Sequence, residues 1–148
     1  MLASGIEILE LIPQRPPMVM VDKLLSCDGQ TTVTELCIKH DNVFAGTGRF
    51  SPPGLLESMA QTAAVRNGWI VKNNHDRKNK KVTIGVIGNI KHFKVCFQPV
   101  AGSVITTTAE VMYEIMQATI VKAKVETCGK LAAEGELHIF LTESEASR

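Results

Sequence analysis

The sequence predicts an α+β fold in which a curled antiparallel sheet wraps around one long central helix. Three observations carry that expectation: one long uninterrupted run of helix formers at residues 55–71, two strand-like stretches before it, and five after it. At 148 residues the chain fits a single domain spanning 1–148, large enough to bury a core without staples and too short for two substantial domains.

Residues 2–11 place Ile6, Leu9 and Leu11 around Glu7 and Glu10, which predicts a short amphipathic helix ended by Pro13 and the Pro16-Pro17 pair. Residues 18–25 are a strand candidate. Residues 31–39 alternate cleanly, with Val33, Leu36 and Ile38 set among threonines, and Asp28-Gly29 supplies the turn, so the two stretches predict an opening hairpin. Residues 42–54, rich in glycine and proline, lead into the helix. There Leu55, Leu56, Met59, Ala60, Ala63, Ala64, Val65, Trp69 and Ile70 leave only a narrow polar stripe, and a helix apolar almost all round must be wrapped. After a basic stretch at residues 72–81, strands are expected at 82–87, 90–97, 104–113, 117–127 and 131–142. Turns fall at Gln98-Pro99-Val100-Ala101-Gly102 and Cys128-Gly129-Lys130.

Sixteen basic and fifteen acidic side chains give a formal net charge of +1, so no global field selects nucleic acid, a membrane surface or an acidic partner. Cys27, Cys37, Cys96 and Cys128 stand singly, without a C-x-x-C pair or a histidine at ligand spacing. This argues against a zinc site or a disulfide framework, and no metal or cofactor is expected. Free thiols and a start lacking basic residues lead to the expectation of a cytoplasmic protein. No stretch approaches the roughly 20 apolar residues a membrane span needs.

Glu57 and Gln61 lie four residues apart, one above the other on an otherwise apolar helix. One reading is that they face a pocket in which Glu57 meets a substrate hydroxyl and Gln61 supports it. The other is that Glu57, in the first turn, simply favours the helix dipole. Gly54 precedes it where free backbone N–H groups can polarise a carbonyl oxygen, or where a tight turn needs glycine. Of the four histidines, His92 and His138 fall in strand patterns and His75 in the basic stretch. His40, ending the second strand before the glycine-rich segment, is the local candidate for a general base.

Three segments resemble the 3-hydroxyacyl-acyl-carrier-protein dehydratase family (FabZ-like), over most of the chain. The opening I-E-I-L-E-L-I-P-Q-R-P-P-M-V-M-V-D-K-L is similar to the family's helix and first strand, L-P-H-R-x-P-x-L-L-V-D-R-V. The helix start P-G-L-L-E-S-M-A-Q resembles P-G-x-x-x-x-E-A-M-A-Q, and G-N-I-K-H-F-K-V-C-F-Q-P-V-A-G-S-V-I resembles A-x-F-x-x-P-V-x-P-G-D-x-L. The resemblance implies the hotdog fold, an acyl-thioester substrate on acyl carrier protein or coenzyme A, and a homodimer or higher oligomer of dimers with active sites between subunits. It carries Glu57 and Gln61 over directly, and Gly54 as the glycine of the Pro-Gly pair, two residues nearer the glutamate.

The departures concern the base. Where the family has a histidine in G-H-F-P that removes the C2 proton, this chain has Phe44-Ala45-Gly46-Thr47-Gly48-Arg49-Phe50. Thr47 or Arg49 takes the place according to the alignment, and neither serves as a base at neutral pH. The histidine of L-P-H-R is Gln14 here. The shorter loop resembles a branch (ApeP-like) associated with aryl-polyene and related pigment biosynthesis. Three functions follow as expectations: a dehydratase with Glu57 as acid and His40 as base, a non-catalytic acyl-binding subunit of a heteromer, or an acyl thioesterase. The basic stretch KNNHDRKNKK is either a solvated linker or a docking patch for an acidic carrier protein.

Overall fold

The structure, a computed structural model, describes residues 1–73 and 82–144. Most of the basic stretch considered as a carrier-protein docking patch, with His75, therefore lies outside the described residues. The elements in chain order are β1 (Ala3–Ser4), α1 (Ile6–Leu9), β2 (Lys23–Cys27), β3 (Thr31–Cys37), α2 (Pro52–Asn73), β4 (Val82–Val95), β5 (Val104–Ile115), β6 (Ala118–Thr127) and β7 (Lys130–Ser144). The strands form one seven-stranded sheet in the order β1-β2-β3-β5-β6-β7-β4, antiparallel at every pairing. Long antiparallel strands with one long helix against them are the α+β arrangement the sequence pattern predicts.

The helix is enclosed from two sides. On the sheet side Leu55, Met59 and Ala63 pack with Leu36, Ile38, Ile105, Val121, Val125 and Leu137. On the other, Val65 joins Ala3, Ile8, Leu11, Ile12, Val21 and Leu24, seating the N-terminal segment on α2. Each fully buried side chain of this size contributes about 1.5–3 kcal/mol. Gly68 makes the second contact possible, because a Cβ there would fall on the Leu11 carbonyl oxygen. The wrapping is incomplete: Ile70 and Val71, near the end of α2, are exposed.

Three elements differ from the sequence expectation for local reasons. The helix expected over residues 2–11 is confined to Ile6–Leu9, since Ala3 and Ser4 pair with Leu24 and Lys23 and Gly5 turns the chain at φ 58. The strand expected at 18–25 begins only at Lys23. The two strands expected at 82–87 and 90–97 are one, β4, whose register against β7 shifts between Ile87 and Asn89 and between Lys91 and Lys94. Gly88 sits at the first irregularity because the Phe140 ring occupies the space a Cβ would need, and His92 has φ 55 at the second. A bulge breaks the alternation of period two without ending the strand, so it reads in sequence as a boundary.

The opening hairpin forms as expected, β2 pairing with β3. Its turn is built by Asp28, whose Oδ1 accepts the N–H groups of Gln30 (2.9 Å) and Thr31 (2.7 Å), with Gly29 at φ 92.

Candidate functional site

The start of α2 is shaped by Pro52-Pro53-Gly54. Proline suits the first helical turn, but it carries no N–H, so Gly54 supplies the first backbone donor of the helix. The amide of Leu55 already bonds the Ser51 carbonyl at 3.0 Å. Gly54 does not have a positive φ; its requirement is packing. A Cβ would lie 2.7 Å from Phe44 Cβ and 2.7 Å from the Phe50 ring. Those two rings meet edge to face, with centroids 6.5 Å apart.

One turn on, Glu57 and Gln61 meet as their spacing predicts. Gln61 is wholly buried and makes three hydrogen bonds. Its Nε2 donates to the Met18 carbonyl (2.7 Å) and to Glu57 Oε2 (2.9 Å), and its Oε1 accepts the Met20 N–H (2.6 Å). Exchanging amide oxygen and nitrogen would set acceptor against acceptor twice and donor against donor once, so the orientation is fixed by the network. This also explains why residues 18–20 are not strand, since their backbone groups are satisfied by the helix side chain. The neighbouring polar residues are structural. Ser58 donates to the Gly54 carbonyl (3.1 Å), and Thr62 to the Ser58 carbonyl (2.7 Å). The Thr34 and Thr62 hydroxyls lie 2.8 Å apart, tying α2 to β3.

Glu57 faces a cavity of about 790 Å³. Its walls are one face of α2 (Glu57, Ala60, Ala64, Asn67, Gly68, Val71, Lys72), residues 9–15, Gly85 and Ile87 of β4, and Ile139 of β7. The cavity thus runs along the helix from an acid, past alanines and other apolar side chains, to the ion pair of Lys72 with Glu10 (3.1 Å). Arg15 also lines it, its guanidinium donating to the carbonyls of Ile12 (2.9 Å) and Gln14 (2.7 Å). Sequence reading did not single out Arg15 or Asn67, and it took Lys72 only as the start of the basic stretch. The spacing 57, 60, 64, 67, 71 marks one helical face and was the available signal.

The described histidines stand elsewhere. His40 is exposed and lies beside Gly102, its Nε2 3.4 Å from where a Cβ on that glycine would be; it is not among the residues lining the Glu57 cavity. Thr47 and Arg49, the two positions that align with the family base, are exposed, and Arg49 donates to the Gln98 carbonyl at 3.0 Å. His138 pairs with Glu136 at 2.8 Å, and that hydrogen bond holds the Glu136 carboxyl below its ordinary range. Among the described residues no group of three or more histidine, cysteine, aspartate or glutamate side chains is placed to hold a metal ion. No described helix is long and apolar enough to cross a membrane.

A family model described as ApeP-like, ApeP dehydratase, matches residues 6–148. The chain is 33% identical to the 3-hydroxyacyl-[acyl-carrier-protein] dehydratase FabZ of Ruminiclostridium cellulolyticum, covering 93% of this chain and 96% of that one. It is 34% identical to the enzyme of the same name from Chlamydia trachomatis, covering 95% and 93%. In structure it resembles a chain of the dehydratase heterocomplex ApeI:P from Xenorhabdus doucetiae, with a TM-score of 0.79 at 16% identity over 91% of this chain and 90% of that one. The fold is the hotdog fold expected from the sequence. With nearly its whole length matched by the family model, the chain belongs to the ApeP-like dehydratase family.

Proposed function

We propose that this protein dehydrates 3-hydroxyacyl thioesters carried by acyl carrier protein or coenzyme A, with Glu57 as the acid that protonates the departing hydroxyl. The observation that carries the reading is the Gln61–Glu57 hydrogen bond at the wall of a long, largely apolar cavity. Because Oε2 accepts from Gln61, the proton of the neutral acid belongs on Oε1, the oxygen left to meet substrate. A base removes the C2 proton, the C3–O bond breaks, and the Glu57 proton leaves with the oxygen as water. The Gly54 N–H at the helix start is the candidate donor to the thioester carbonyl, where negative charge develops. Hydration of the enoyl thioester is the same path reversed.

The source of the C2 base separates two readings. In the first it is His40, which would have to approach the cavity from its place beside Gly102. The second is favoured by the cavity lining, which among the described residues contains Glu57 and Glu10 but no histidine. There the base comes from a second subunit, either another copy or a different hotdog chain, as the relative from Xenorhabdus forms a dehydratase heterocomplex. A homodimer, or oligomer of dimers, is supported by β4, which ends the sheet and exposes Val86, Ile87 and Ile90. A single-domain, cytoplasmic protein fits the free state of Cys27, Cys37, Cys96 and Cys128.

The test is interconversion of a 3-hydroxyacyl thioester and its enoyl thioester by the chain alone, by its His40→Ala variant, and by the chain mixed with a second hotdog subunit. Turnover alone that is lost in His40→Ala supports the first reading. Turnover that His40→Ala leaves intact, or that appears only with the partner, supports the second. Release of free thiol without enoyl product would replace both by a thioesterase.

A further inference from the structure

Gln14 lines the same cavity as Glu57, and its Oε1 is buried with no hydrogen-bond partner among the described residues. It is the one such side-chain oxygen or nitrogen there; the buried amide of Gln61 and the hydroxyls of Ser58 and Thr62 are all paired. Buried acceptors are almost always satisfied, so an orphan at a cavity wall points to a donor that arrives with a ligand.

The backbone around Gln14 is held by hydrogen bonds that its side-chain oxygen lacks. Arg15 clamps the carbonyls of Ile12 and Gln14 with one guanidinium nitrogen. Among the described residues no hydrogen bond tethers the Gln14 amide, and rotation about the last torsion of a glutamine is soft. That rotation swings Oε1 from its buried position toward the side now taken by Nε2. The two glutamines thus differ in kind: Gln61, which is not among the residues lining the cavity, is locked by three bonds, whereas the Gln14 oxygen at the cavity wall has no partner among the described residues.

We infer that Gln14 is a substrate-positioning residue whose Oε1 accepts the O–H of the substrate's C3 hydroxyl. The inference rests on the dehydratase reading. For Glu57 to protonate the departing oxygen, a lone pair of that oxygen must face the acid, and the hydroxyl's own hydrogen must point elsewhere. A neutral amide oxygen takes that hydrogen without competing for the acid's proton, which a carboxylate or imidazole in its place would do. Glu57 and Gln14 together then fix the direction of the C3–O bond, so the pair selects one configuration at C3 and prefers a 3-hydroxyacyl chain to the saturated one.

The experiment measures binding, so that it does not depend on turnover. The Glu57→Gln protein is titrated with 3-hydroxybutyryl-pantetheine, in each C3 configuration, and with butyryl-pantetheine, with and without the added Gln14→Met change. The expected result is that the hydroxyl tightens binding by on the order of tenfold for one configuration, and that Gln14→Met abolishes this preference while leaving butyryl binding within about twofold. Gln14→Met should also keep or raise Tm, because it removes an orphaned acceptor. An equal hydroxyl preference with and without Gln14 overturns the inference, as does failure to bind either thioester or a parallel loss of Tm and of all binding. Failure of the dehydratase reading has a separate signature: wild-type protein, alone and with a partner subunit, that never interconverts hydroxyacyl and enoyl thioesters.

Discussion

Gln61 donates to Glu57 Oε2 at 2.9 Å while its other N–H and its oxygen bridge the backbone of Met18 and Met20. The bond couples the orientation of the acid to the path of the chain before β2. Support and site are therefore one network, and substitutions at its two ends should differ in what they cost.

Replacing Glu57 by glutamine keeps the shape and removes the proton. Enoyl-thioester hydration is expected to fall by about 10²–10⁴-fold, the usual contribution of a positioned acid. Thermal melting should barely move, since Glu57 is only partly buried.

Gln61→Leu acts on both. It leaves the Met20 N–H without its acceptor, at about 1–3 kcal/mol for that group alone, and frees the Glu57 carboxylate from its anchor. Denaturant melts should show the lost stability, and the activity of the remaining folded protein should still be well below wild type. Full activity per folded molecule would mean that the anchor is dispensable.

The Thr34–Thr62 contact has a direction. Thr62 has one hydroxyl proton and spends it on the Ser58 carbonyl, so Thr34 is the donor between the two. Thr62→Val therefore strands a buried Thr34 donor and is expected to cost about 1–3 kcal/mol, while Thr34→Val leaves Thr62 still bonded and costs less. A double-mutant cycle by urea unfolding should show the pair coupled, the double variant being more stable than the sum of the singles implies.

Gly68→Ala tests the wall of the cavity. The new methyl would fall on the Leu11 carbonyl, so residues 9–15 must shift, at about 1–3 kcal/mol or more. The same shift moves Gln14 and Arg15 in the cavity wall, so KM for long acyl chains and the Glu57-dependent step should both change, while Glu57 itself stays in place.

The Asp28 turn gives a pH dependence. Backbone hydrogen bonds from Thr31 and then Gln30 lower the Asp28 pKa in the folded protein. A depressed folded value means the stabilisation is present above the unfolded pKa of about 3.9 and is lost as pH falls through the folded one. Tm measured against pH should therefore fall less steeply below about pH 4 in Asp28→Asn than in wild type.

Much of this was legible in the sequence, and the exceptions have physical causes. The composition of residues 55–71 announced a wrapped helix, and the spacing of Glu57 and Gln61 announced their contact. The length of β4 was hidden because bulges at Gly88 and near His92 interrupt alternation while the ladder continues. The partners of Gln61 were hidden because they are backbone groups of Met18 and Met20, more than forty residues away, and carry no sequence signal. Gly54 was read as a turn residue or an amide donor; it has no positive φ, and the need for glycine comes instead from packing, since Phe44 Cβ and the Phe50 ring occupy the space a Cβ would take, which leaves its proposed N–H role intact. Thr62 belongs to the polar stripe in sequence and to the core in three dimensions.

Incubating the protein with a 3-hydroxyacyl thioester in heavy-oxygen water, with its partner subunit if one is needed, tests the central claim most directly. Reversible dehydration predicts that the label enters the C3 hydroxyl of the recovered thioester, and that Glu57→Gln abolishes this exchange. Label confined to the carboxylate of a released acid, or C3 exchange undiminished in Glu57→Gln, would contradict it.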